Sequence, residues 1–96
     1  MKRMIFAAVA ALVLPFAAHA EGCSSVAEFA QTIAGMRESG LDEDRVGKFV
    51  GQSIQDNAQL VAATALIHKI YNEPGLKAMT PDRTRKFFYD ACVAQG

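Results

Sequence analysis

The chain has 96 residues, ten Lys or Arg against ten Asp or Glu, two cysteines and no tryptophan. That length admits one small domain with a single core, and the even charge leaves no electrostatic footprint for nucleic acid. Two cysteines and the lone histidine outside the leader, His68, are too few ligands for a structural zinc site.

Met1-Lys2-Arg3 opens the chain, an apolar run follows from Met4 to Phe16, and Ala18-His19-Ala20 stands just before Glu21-Gly22-Cys23. A basic end, a short apolar stretch and a small-x-small site together make a secretory signal peptide. The run is shorter than the roughly 18–20 residues a membrane helix needs, and Pro15 and His19 interrupt its far end. Cleavage after Ala20 is therefore expected, dividing the chain into a signal peptide (1–20) and one domain (21–96), with no transmembrane anchor afterwards. The competing reading makes Cys23 the acylated residue of a lipoprotein. It sets Glu21 where a small uncharged residue is wanted and leaves Cys92 without a partner. The expected location is the periplasm, with secretion beyond it as an extension. Loss of Lys2 and Arg3 leaves eight basic against ten acidic residues, a mild net charge of −2.

No segment alternates with period 2 for long enough to make a strand, whereas period 3.6 recurs throughout. Ser25-Val26-Ala27-Glu28 reads as a capping box opening a helix with the stripe Val26, Phe29, Ala30 and Ile33, closed by Gly40 at the C′ position. Asp42 caps a second helix, Glu43 and Asp44 lie in its positive first turn, and Leu41 can staple onto Val46. Val46, Phe49, Val50 and Ile54 form its expected inner side, and Gly47 and Gly51 weaken it. Asp56-Asn57 marks a break or cap, the alternative being one helix from 43 to 72. The third helix carries Leu60, Ala63, Thr64, Ile67, Ile70 and Tyr71 on one face and ends at Glu73-Pro74-Gly75. Thr80-Pro81-Asp82 opens the fourth, with Phe87, Phe88, Ala91 and Cys92 expected on its inner face.

Cys23 and Cys92 are the only cysteines of an exported chain and flank its domain, which predicts a disulfide between them. Short connections make successive helices antiparallel, so an even number of helices returns the C-terminus to the starting end. Three would leave the cysteines about a helix length apart, roughly 20 Å or more at 1.5 Å per residue. The expected fold is an all-α, disulfide-stapled bundle of about four short antiparallel helices.

The chain lacks the signatures of a nucleophile elbow, a His-Glu-x-x-His zinc site and a phosphate-binding glycine loop. His68 lies beside the apolar face of the third helix and reads as a half-buried or surface histidine rather than a catalytic one. Asp42, Glu43 and Asp44 lack calcium-loop spacing, and the helix dipole accounts for them. Arg37, at the edge of the first apolar stripe, reads as a snorkelling stem near a helix C-terminus; the functional alternative pairs it with a carboxylate such as Asp90 or presents it to a partner. Lys77, Arg83, Arg85 and Lys86 make the second half more basic, and Lys86 can pair with Asp90 at i,i+4. Tyr71 stands at a helix end beside Asn72, Glu73 and Pro74; core packing with a wet hydroxyl is the default reading and an exposed ring the alternative. Arg37, Tyr71, Arg83, Arg85 and Lys86 are thus the candidate partner contacts; no catalytic residue, metal or cofactor is expected.

Cys23, Ile33-Ala34-x-x-Arg37-x-x-Gly40, Ile67-x-x-Ile70-Tyr71 and Tyr89-x-x-Cys92 together resemble small exported two-cysteine helical proteins of proteobacteria, a resemblance that implies an exported helical unit and no particular activity. In size, export and cysteine count the chain is also similar to the acid-stress chaperones of the enterobacterial periplasm, though it places its cysteines at the two domain ends. The expected function is that of a non-enzymatic periplasmic interaction protein, of inhibitor, immunity or assembly-accessory type, acting on another periplasmic or envelope protein and not on nucleic acid. A periplasmic stress chaperone is the alternative.

Overall fold

A computed structural model describes residues 20–95. The expected signal peptide lies outside them except for Ala20. Five helices follow: α1 (Ala20–Glu38), α2 (Glu43–Ser53), α3 (Asn57–Asn72), the single turn α4 (Pro74–Lys77) and α5 (Pro81–Gln95). The described residues contain no strand, and the fold is all-α.

α1 and α5 form the spine of the molecule. Cys23 is bonded to Cys92, Glu28 faces Arg85 across 3.7 Å, and Gln31 donates to Asp82 at 3.0 Å. Partners rising along α1 fall along α5, so the two helices are antiparallel. Small residues on α1, Ala27, Ala30 and Ala34, are fully buried. Thr84, Phe88 and Cys92, each four residues on, form the buried stripe of α5. The Thr84 hydroxyl, itself buried, donates to the carbonyl of Thr80 one turn back, so it enters the core with its hydrogen bond made.

The Cys23 sulfur is bonded to Cys92, and a sulfur so bonded is not open to the lipid thioether of the lipoprotein reading. The bond also moves the start of α1. The expected capping box at Ser25 lies inside the helix, whose described part runs from Ala20. Cys23 reaches α5 only if it falls on the face of Ala27 and Ala30, and helical backbone through residues 20–25 puts it there.

The helix ends follow local chemistry. Gly40 has φ 95°, its N–H donates to the carbonyl of Arg37, and the N–H of Leu41 donates to that of Met36. This 5→2 and 6→1 pair is a Schellman motif, and it turns the chain into α2. Asp42 caps α2 through the N–H of Arg45, at 2.8 Å, and Asp56 caps α3 through that of Gln59, at 2.9 Å. Ile54 and Asp56 are both extended, so α2 and α3 are separate helices. Thr80 accepts from the N–H of Arg83, with Pro81 in the first turn of α5.

The core joins Ile33 and Ala34 of α1, Val46 and Val50 of α2, Leu66, Ile67 and Ile70 of α3, Leu76 of α4 and Phe88 of α5. Three expected inner residues lie elsewhere. Phe49 of α2 is 57% exposed, Phe87 of α5 is 46% exposed, and Thr64 of α3 faces solvent while Leu66 is buried. α4 has no forerunner in the sequence reading: Pro74 ends α3 and, two residues later, supplies through Leu76 the residue that covers the core at this corner.

Candidate functional site

Three surface constellations stand out, and the first is structural. Arg37 lies in the last turn of α1. Its Nη1 donates to the carbonyls of Ile70 (2.8 Å) and Leu76 (3.2 Å), and its Nη2 to that of Met79. These oxygens belong to the end of α3 and to the α4 corner, where backbone acceptors lack helical partners. A planar guanidinium holds its donors in a fixed fork on two separate nitrogens, so it reaches acceptors of two segments that an ammonium would have to serve from one point. Asp90 is not its partner, being bonded to Lys86 at 2.9 Å. Arg37 therefore ties α1 to the far corner of the bundle.

Tyr71 belongs to the same corner. It is half-buried against the core and donates its hydroxyl to the carbonyl of Leu41 at 2.7 Å. Burial raises its pKa, opposed by the nearby Arg37 charge and reinforced by Asp42 and Glu43.

The second constellation joins the start of α2 to the end of α3. Asn72 Nδ2 donates to Glu43 Oε1 at 2.8 Å, and His68 Nδ1 lies 2.9 Å from Glu43 Oε2. These bonds, from Asn72 first and then from His68, hold the Glu43 carboxyl below its ordinary pKa. A carboxylate only accepts, so the His68 contact places a hydrogen on Nδ1, and a neutral ring then keeps its lone pair on Nε2. Carboxylate-oriented imidazole is a component of acid–base catalysis, but it needs a reacting group beside it. The group bonded to this ring is the Glu43 carboxylate, which is not a nucleophile activated by it; with a hydrogen on Nδ1, Asn72 Nδ2 at 3.1 Å is a second donor and makes no bond to the ring. No group of three or more His, Cys, Asp or Glu among the described residues could hold a metal ion.

The third constellation is the outer ridge of α5. Arg83, Lys86, Phe87, Asp90, Val93 and Ala94 all face solvent and recur at i, i+3/4, i+7 and i+10/11, one continuous stripe. Phe87 and Val93 are its large apolar members, 46% and 47% exposed. The Phe87 ring stands edge-on to the buried Phe88, centroids 5.2 Å apart, so an anchor in the core orients it. Of the expected basic contacts, Arg83 and Lys86 are on this ridge, whereas Arg85 turns toward Glu28 at the α1–α5 seam. Lys77 is on α4, and Arg37 and Tyr71 are engaged at the opposite corner.

Sequence reasoning placed Phe87 inside and did not single out Val93. The missing signal was the phase of α5. Taking Cys92 as a fixed inner point and stepping back by four gives Phe88 and Thr84, and Phe87 then falls about 100° away.

No family model matches this chain, and no curated protein or solved structure matches it. No helix of the described residues is long and apolar enough to cross a membrane.

Proposed function

We propose that this is an exported, non-enzymatic binding protein of the periplasm, of inhibitor, immunity or assembly-accessory type, and that the outer ridge of α5 is its contact face. The observation that carries the reading is the exposure of Phe87 and Val93 on a helix fixed at one end by the Cys23–Cys92 bond and along its length by α1. Aromatic and aliphatic side chains ringed by charge are what a binding face needs: apolar area to desolvate, and a polar rim to set register. A preorganised helix adds little ordering penalty on association.

The test is a photo-crosslinking amino acid placed at Phe87 or Val93 in cells that export the protein, with Gln52 on α2 as the control position. A discrete product at 87 and 93 and none at 52 is expected, and Phe87→Asp should abolish the product formed from position 93. Identical patterns at all three positions would remove the ridge as the contact face. Edman sequencing of the periplasmic protein should begin at Glu21; an intact Met1 would overturn the export reading.

A further inference from the structure

The charges on the α5 ridge are ordered so that the ridge is complementary to itself. Reversing the helix about position 88 lays Lys86 over Asp90, Asp90 over Lys86, and Arg83 over Val93, with Phe87 next to the centre. That is the pattern of an isologous antiparallel contact, in which residue i of one copy meets residue j of the other and the reverse. We propose that the partner of this ridge is a second copy of the same chain, paired across a two-fold axis near position 88; this rests on the reading of the ridge as a contact face.

Each piece of the stripe has a place in such a pair. Phe87 lies beside the axis and stacks against its symmetry mate, desolvating the largest exposed ring of the helix. Lys86 and Asp90 are already bonded within one chain at 2.9 Å, yet their side chains remain 78% and 60% exposed. A carboxylate accepts more than one hydrogen bond and an ammonium donates three, so each keeps capacity for the opposite copy. Two copies therefore make a four-charge cluster of alternating sign. Arg83 lays its aliphatic stem over Val93 and brings its guanidinium to the negative C-terminal end of the facing helix. A parallel arrangement would set Lys86 on Lys86 and Asp90 on Asp90, so charge selects the antiparallel one.

One helix face buries less than the roughly 800 Å² per partner of a standard stable interface. The contact is accordingly a weak, concentration-dependent one, populated at hundreds of micromolar rather than at nanomolar concentrations, on the order of a Kd between 100 μM and 1 mM.

Sedimentation velocity of the oxidised protein, isolated from cells expressing the full sequence, tests this between ~10 μM and ~1 mM. The wild type should rise toward twice the monomer mass, and K86E and D90K should each stay monomeric over the same range. Mixed in equal amounts, the two variants should associate at least as well as wild type, because both contacts between positions 86 and 90 across the axis then join opposite charges. Both positions are exposed, so circular dichroism should show an unchanged fold. The control exchange is K69E with E73K, another exposed i,i+4 pair, on α3. Monomeric wild type throughout, no gain on mixing K86E with D90K, or an equal gain from the α3 control would each overturn the self-association. A protein that stays monomeric here but crosslinks through position 87 to a different chain overturns this inference and leaves the ridge as a binding face.

Discussion

Arg37 shows how one side chain can decide whether a corner of a small domain holds together. Its guanidinium serves three main-chain acceptors from two segments more than thirty residues away in sequence. Removing it strands those carbonyls in a half-buried place; bonds to charged groups contribute roughly 1.5–3 kcal/mol each net of the water bonds they replace, and less where water can reach the carbonyls left behind. Arg37→Ala is expected to lower unfolding free energy by about 2–4 kcal/mol, measured by urea denaturation, with Arg37→Lys recovering only part of the loss. The Glu43 cluster is a weaker tie of the same kind. Glu43 is stabilised as a carboxylate in the folded state, so its contribution is present above the unfolded-state pKa and disappears as pH falls through the lower folded-state value. Stability measured from neutral pH down into the carboxylate range should therefore fall further in the wild type than in Glu43→Gln. The difference should be small, since both Glu43 and His68 are well exposed. A steeper acid loss in the variant would mean that some other group controls that range.

At the scale of the helices, what a few neighbouring residues determine was legible in the sequence. Gly40 at positive φ, Asp42 and Thr80 as caps, Pro81 in a first turn and Leu41 beside the α2 start all depend on residues within one turn of each other. What depends on the phase of a helix against its neighbours was not legible. Phe49 and Phe87 are apolar and correctly spaced for a core face, but Val46 with Val50, and Thr84 with Phe88 and Cys92, hold that face and turn the phenylalanines outward. Nor could the acceptors of Arg37 be foreseen, since main-chain carbonyls have no residue signature. α2 also carries a testable weakness. A Cβ built on Gly47 or Gly51 meets nothing within 4 Å, and both residues have helical backbone. Replacing either with Ala should stabilise the protein by about 0.5–1 kcal/mol by restricting the unfolded chain. Thermal unfolding of Gly47→Ala, Gly51→Ala and the pair checks this, and a lowered melting temperature would show that α2 is bent or crowded in solution.

The whole molecule depends on closing its two ends together. The described residues, 20–95, number 76, near the size at which one apolar core supplies only a few kcal/mol. The antiparallel spine brings Cys23 and Cys92 to a Cα separation of 5.5 Å, within the range a disulfide spans without moving the backbone. Because they lie 69 positions apart, the bond closes nearly all of the described chain. In the chain-entropy account such a loop removes roughly 4 kcal/mol worth of freedom from the unfolded state. That is comparable with the total stability of a domain this small. Cys92→Ser is therefore expected to lower the melting temperature by many degrees. Loosening should begin where α1 and α5 meet at the bond, because Cys23 and Cys92 are both buried there. Hydrogen exchange distinguishes this from uniform weakening. In Cys92→Ser, amides of residues 20–27 and 88–95 should lose protection first, while those of α3, held by Ile67 and Ile70 in the core and by Arg37 at its end, should follow only at global unfolding. Equal protection loss along all helices would mean that the bond acts solely through the unfolded chain, with no part in holding the α1–α5 end together.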